Sequence, residues 1–326
     1  MGFYIVRFSE GDSSEPLWGV ERDERVLPLE VRSTTLRELI ERGGIEAARA
    51  RLDDPRDDGA RSPEELTFWS PVTHPCQIVC QGKNYLEHLK ETGTRPQDKT
   101  FNLLFSKASS TLNRPDGPVV RPAGVKLMDY ECELGLVIGR RLGAPRRFTP
   151  ETITEVVGGI VLANDVSARD VQVPQGQWYR GKSYRGFCPV GPRLYWLDPG
   201  DGPRIYQLAL SLWVNDGLRQ QATTQQMIYP PHETLGELSE LCDLEIGDLV
   251  LTGTPGGVAL QAPSPFVQRL SRITLSERDE KRLFVTLQAR SGRYLHDGDR
   301  VRATIRSEDG QIDLGTQCWT VIAGDA

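Results

Sequence analysis

The stretch Asp129-Tyr130-Glu131-Cys132-Glu133-Leu134-Gly135-Leu136-Val137-Ile138-Gly139 constrains this chain more than any other. It reads as a β-strand, in which successive side chains point to opposite faces. Cys132, Leu134, Leu136 and Ile138 then share an apolar face, and Glu131, Glu133 and Gly135 share the other. Two carboxylates side by side on an interior-looking strand repel each other and resist desolvation. Either the pair faces solvent on an edge strand, or something positive sits between the two acids. A hard divalent cation meets the second requirement, because it prefers oxygen ligands.

The remainder of the chain leaves room for such an interior. With 326 residues, 38% hydrophobic and 26% charged, it can bury one large core and a smaller unit. Its net charge is -6 and its acids and bases are interspersed, which argues against nucleic acid or a membrane surface as partner. No apolar run approaches the roughly 18 residues of a membrane span. The start, Met1-Gly2-Phe3-Tyr4-Ile5-Val6-Arg7, lacks the basic and long apolar regions of a signal peptide and reads as a first strand. Six scattered cysteines without C-x-x-C, and four histidines without H-E-x-x-H, point to free thiols in a reducing cytoplasm and away from zinc.

Residues 1–72 read as a small α+β domain, with short strands at Phe3 to Phe8, Leu17 to Val20 and Val26 to Val31. Thr35 and Glu38 form a capping box ahead of a helical face of Leu36, Leu39 and Ile40, which Gly43-Gly44 ends. A larger domain follows over 73–326. His88 and Glu91 are three apart, so they share one face of a helical turn. A carboxylate beside an imidazole orients the ring and raises its basicity, as a general base requires. An exposed helix whose His and Glu do nothing is the alternative. The polar, breaker-rich Thr92-Gly93-Thr94-Arg95-Pro96 fits a mobile lid.

A helix is expected from Pro150 to Gly158-Gly159, then an apolar strand Ile160-Val161-Leu162-Ala163. That strand ends in Asn164-Asp165, where a third metal ligand would fit. Gln172 to Tyr184 reads as a loop carrying Lys182. Leu208, Leu210, Leu212 and Val214 alternate into a hairpin at Asn215-Asp216-Gly217. Leu235, Leu238, Leu241 and Cys242 mark a helix face. The strand Leu249-Val250-Leu251 runs into Thr252-Gly253-Thr254-Pro255-Gly256-Gly257, a turn dense enough in glycine to bring amides to an anionic ligand. Pro263 to Gly292 reads as charged and irregular, and Val301, Ala303 and Ile305 alternate in a closing strand. Strands outnumber helices, so the class is mixed α/β and β-dominated, a roll or sandwich.

Four motifs stand in one order: Gly82-Lys83-Asn84-Tyr85 with His88, Asp129-Tyr130-Glu131-Cys132-Glu133-Leu134, Asn164-Asp165-Val166-Ser167-Ala168-Arg169-Asp170, and Thr252-Gly253-Thr254-Pro255-Gly256-Gly257-Val258. Together they resemble the fumarylacetoacetate hydrolase family from about residue 75 to the end. The resemblance implies a mixed β-sandwich roll, usually a homodimer, that binds Mg²⁺ or a similar ion such as Mn²⁺ or Ca²⁺. By motif position it implies Glu131, Glu133 and Asp165 as metal ligands, and His88 with Glu91 as an acid–base dyad on a closing segment. It implies Lys182 as the active-site lysine, and Arg169, Gln172 and Thr254 as contacts to substrate. Two departures mark this chain. Lys83 stands where Arg is commoner, and Tyr184-Arg185-Gly186-Phe187 stands where many relatives read Phe-Asp-Thr-Phe. An acid has become Arg185 and a hydroxyl Gly186, so the departures bear on which substrate the chain takes.

The expected substrate is a small oxo acid. In the first reading a C–C bond of a 1,3-diketo acid, an acylpyruvate or fumarylacetoacetate-like compound, is hydrolysed. His88, oriented by Glu91, takes a proton from water, and the water attacks the carbonyl remote from the carboxylate. The leaving carbanion departs as a metal-bound enolate, with Lys182 countering its charge. A decarboxylase, isomerase or tautomerase of an oxo acid would use the same enolate without attacking water. A protein that only keeps the fold would show a damaged ligand set, and here all three acids, the dyad and the lysine are present.

Overall fold

The computed structural model describes residues 1–11, 15–262 and 276–325. The acidic strand Cys132–Ile138 lies inside the larger of two main sheets. It pairs antiparallel with Val157–Asn164 on one side and with Leu249–Leu251 on the other. The edge-strand alternative is therefore excluded. Beyond Leu249–Leu251 the sheet continues through Ile78–Gly82 to Leu103–Lys107. In the other direction it continues through Cys188–Trp196 to Phe3–Glu10, Leu17–Arg22 and Arg25–Pro28. Phe3 pairs with Trp196 and Val6 with Arg193, so hydrogen bonding runs unbroken from the N-terminal strands into the rest of the sheet.

The alternation along the acidic strand sorts two cores. Leu134, Leu136 and Ile138 pack with Leu208, Leu210 and Leu212 and with Val301, Ala303 and Ile305 of the second sheet. That sheet runs Gly217–Thr223, Leu208–Val214, Arg300–Ser307, Asp313–Ala323, Val119–Arg121. Val137 points the other way, against Val161, Leu249 and Leu251 and the helices Leu36–Glu41 and Gly44–Asp53. Each fully buried apolar side chain contributes roughly 1.5–3 kcal/mol. A strand held from both faces can therefore carry acids into the interior. The result is the expected β-dominated sandwich with helices on its flanks. Among the described residues, no helix is long and apolar enough to cross a membrane.

Several local expectations fail for identifiable reasons. The helix expected from Pro150 is only a 3₁₀ turn over Ile153–Glu155, and Gly158 and Gly159 belong to the strand Val157–Asn164. A Cβ on Gly139 would lie 2.5 Å from the Gly158 Cα, so these glycines serve a close approach of two strands and do not stop a helix. The loop expected over Gln172 to Tyr184 is mostly two short helices, Arg169–Gln175 and Trp178–Lys182, separated at Gly176 in a left-handed conformation. Gly44, read as part of a stop, opens the helix Gly44–Asp53. Leu241 is 64% exposed and leaves the face that Leu235 and Leu238 bury. The irregular segment expected over Pro263 to Gly292 contains the helix Glu277–Ala289. Its first part, 263–275, lies outside the described residues.

Candidate active site

Glu131 sits one residue ahead of the strand and Glu133 sits within it, while Asp165 directly follows the paired strand Val157–Asn164. The register Cys132↔Asn164 brings the two strand ends level. The three acids are buried, and one carboxylate oxygen from each lies within 4.8 Å of the others. Sequence spacing anticipated this juxtaposition, and Cys132 does turn away into the core.

Three cations reach into the cluster. Lys182 Nζ donates to Glu131 Oε2 at 2.5 Å and to Asp165 Oδ2 at 2.6 Å. Arg169 donates to Glu131 Oε1, to Asp129 Oδ2 at 2.8 Å and to Gln172 Oε1 at 2.8 Å. Lys107 Nζ donates to Asp165 Oδ1 at 2.5 Å. Asp129, Glu131, Glu133 and Asp165 thus face Lys107, Arg169 and Lys182, all of them buried. Burial pushes the Glu131 carboxyl up, but Arg169, Lys182 and His88 outweigh it and bring it down to about 2. Burial pulls the Lys182 ammonium down, yet Asp165 and Glu131 leave it raised.

Glu133 is the exception. The one hydrogen bond it accepts among the described residues comes from the Gly253 amide at 2.8 Å. Burial, Asp165 and Glu131 together raise its carboxyl well above the ordinary range. Gly253 reaches it with φ +88°, and a Cβ there would meet the Asn84 Cβ at 2.7 Å, so this turn position requires glycine. An all-oxygen, buried set with one carboxylate lacking a cation fits a hard divalent ion.

The dyad lies near enough to the triad for the His88 ring to draw the Glu131 carboxyl down. His88 and Glu91 lie on the short helix Leu86–Glu91, with His88 Nδ1 3.8 Å from Glu91 Oε2. The Glu91 carboxylate also accepts from the Gly257 amide at 2.9 and 3.0 Å. Burial raises the Glu91 carboxyl, but His88 and the Gly257 amide bring it below its usual value. The glycine-rich turn therefore spends two of its amides, those of Gly253 and Gly257, on the protein's own carboxylates.

The residues expected to meet substrate are placed differently from one another. Arg169 is 2% exposed and committed to Asp129, Glu131 and Gln172. The Thr254 hydroxyl donates to the Cys132 carbonyl at 3.1 Å and accepts from Gln220 at 2.8 Å. Gln172 accepts from Arg169, and its amide nitrogen donates to no described residue. Arg185 is exposed. Sequence reasoning missed Lys107, Asp129 and Gln220. Lys107 shares its strand face with Leu103 and Phe105, and a lysine on an otherwise apolar face is the signal that could have found it.

Fold and site together define a class: a β-rich enzyme scaffold that brings a buried acidic triad beside a His–Glu pair. The family model described as fumarylacetoacetate (FAA) hydrolase C-terminal matches residues 77–322. The mitochondrial oxaloacetate tautomerase of Xenopus laevis is 31% identical over 287 residues, 85% of this chain and 87% of that protein. The fumarylacetoacetate hydrolase of Exiguobacterium antarcticum superposes with a TM-score of 0.72 at 30% identity, covering 99% of this chain and 100% of that one. The maleylpyruvate hydrolase of Sphingobium, solved with manganese(II) and pyruvate, gives a TM-score of 0.68 at 25% identity over 99% and 100%. The chain belongs to the fumarylacetoacetate hydrolase family.

Proposed function

We propose that this protein is a divalent-metal-dependent hydrolase that splits a C–C bond in a 1,3-diketo acid. The observation that carries the reading is the buried triad Glu131, Glu133 and Asp165 with the His88–Glu91 pair close enough for His88 to draw the Glu131 carboxyl down. A cation held by the triad would polarise the keto oxygen of a chelated 2-oxo acid and balance charge that develops there. Mg²⁺ or Mn²⁺ is supported by the oxygen-only donor set and by the manganese of the Sphingobium relative.

The protein's own residues supply the rest. His88 Nδ1 makes no hydrogen bond among the described residues and lies nearest the Glu91 carboxylate. Glu91, fixed by the Gly257 amide, orients the ring so that Nε2 takes a proton from water. That water oxygen forms a bond to the carbonyl carbon remote from the carboxylate. The C–C bond then breaks towards the oxo-acid half, whose carbon receives a proton. The products are a carboxylic acid and a 2-oxo acid, and water balances the equation. Lys182, between Glu131 and Asp165, lowers the cost of the developing enolate charge. The Gln172 amide nitrogen remains for the substrate. A reducing compartment such as the cytoplasm is supported by the unpaired state of all six cysteines.

A second reading, tautomerisation of an oxo diacid, is favoured by the activity named for the Xenopus relative. It uses the same enolate, moves a proton between the enol oxygen and the adjacent carbon, and needs no attacking water. A panel of 3-acylpyruvates and oxaloacetate, assayed with Mg²⁺ for release of an acid pair and for enol–keto exchange, separates the two. Hydrolysis predicts stoichiometric release of pyruvate and a carboxylic acid. Exchange without any such release would replace the first reading by the second.

A further inference from the structure

Each carboxylate of the triad is anchored by a different donor, and each anchor takes one oxygen. Arg169 holds Glu131 Oε1, the Gly253 amide holds Glu133 Oε2, and Lys107 holds Asp165 Oδ1. Lys107 is the anchor to which the chemistry above gives no role. It ends the strand Leu103–Lys107 and is 3% exposed. An ammonium has three protons, and three oxygens take them: Asp165 Oδ1 at 2.5 Å, the Phe187 carbonyl at 2.7 Å and the Val166 carbonyl at 3.2 Å. Swinging Asp165 Oδ1 towards the other acids would strand a buried ammonium, which is costly. Oδ2, at 2.6 Å from Lys182 Nζ, shares that ammonium with Glu131 Oε2 at 2.5 Å.

We propose that Lys107 is a positioning residue that restricts Asp165 to one-oxygen ligation and so tunes the triad towards Mg²⁺ or Mn²⁺ and against Ca²⁺. Calcium gathers about six to eight oxygens and readily takes carboxylates through both atoms, whereas magnesium demands near-octahedral geometry at shorter range. Three single oxygens half-fill an octahedron and leave positions for water and a bidentate oxo acid. They leave a calcium shell badly short. The inference rests on the triad being a cation site, as the proposed function does.

The test is calorimetric binding of Mn²⁺ and of Ca²⁺ to the wild-type protein and to Lys107→Met. Removing a positive charge beside the triad strengthens both ions alike, so the ratio of the two affinities is the readout. The expected result is that Ca²⁺ gains on Mn²⁺ by about tenfold or more, the scale on which ligand-orienting partners act. A ratio unchanged within about twofold overturns the proposal. Wild-type protein that binds neither ion overturns the cation site itself, a separate failure. Infrared spectra of wild-type protein labelled with ¹³C-carboxyl aspartate give a second reading that needs no variant to fold. Asp165 is the one aspartate of the triad. A metal-induced widening of its carboxylate stretch splitting, the mark of one-oxygen ligation, is expected with Mn²⁺. A narrowing, the mark of chelation by both oxygens, contradicts the role given to Lys107.

Discussion

Glu133 and His88 face one site from two different kinds of support. Glu133 stands in a strand hydrogen-bonded on both sides and packed on both faces. Its neighbours Glu131 and Asp165 have both oxygens committed to fixed cations. His88 rides a helix of 6 residues, Leu86–Glu91, whose N-cap Tyr85 offers no side-chain hydrogen bond. Its Nδ1 is 3.8 Å from Glu91, beyond hydrogen-bond range. Helices this short owe their stability to packing and little to their own hydrogen bonds. The acidic pole is fixed by buried cations and two flanking strands, and the basic pole is held more loosely. On the function proposed above, that division keeps the acids fixed and lets the dyad tighten over a bound substrate.

The contrast can be broken most severely at its rigid pole. Glu131→Ala combined with Glu133→Ala should abolish calorimetric Mn²⁺ binding and lower kcat/KM by ~10³-fold or more. Retention of either would show that the triad is not the cation site. At the other pole, His88→Ala should lower kcat by ~10²–10⁴-fold with Mn²⁺ binding unchanged, because general-base catalysis is worth that much. Acylpyruvate cleavage at the wild-type rate would remove His88 from water activation. Glu91→Gln keeps the Gly257 contact but loses the charge beside the ring, and should cost ~10–100-fold in kcat with little change in KM. A change confined to KM would make Glu91 a substrate contact. The mildest probe leaves the chain intact. By hydrogen exchange, amides of Leu86–Glu91 should open at least about tenfold faster than those of Cys132–Ile138, and the gap should shrink when an unreactive oxo acid is bound. Equal protection in the free protein would erase the contrast.

What could be read from the sequence followed the same division. The alternation around Glu131 and Glu133, and the acid ending an apolar strand at Asp165, are local patterns set by strand geometry. His88 and Glu91 were legible because three residues on a helix share a face. The partners of these acids were not legible. Lys107 meets Asp165 across 58 residues and Arg169 meets Asp129 across 40, contacts that only strand order creates. Arg169 shows the cost of that: its place in a motif suggested a substrate contact, and its bonds to Asp129, Glu131 and Gln172 were not legible. The helices Arg169–Gln175 and Trp178–Lys182 were hidden by Pro174, Gly176 and Gly181, breakers that here sit within or between short helical turns. The turn at Gly253 was read as a possible ligand cradle. Its amide instead serves Glu133, because the anion nearest to it comes from the protein itself.

The ammonium of Lys182, seated between Glu131 and Asp165, bears on how such a protein matures. Four buried acids gathered without compensation would oppose collapse of the nascent chain. Three internal cations offset all but one of them, and the one left over, Glu133, is the acid that resists ionisation. The polypeptide thus carries its own placeholder charge and can close its sandwich before any ion is delivered. On the function proposed above, an added cation would then bear on activity and little on folding.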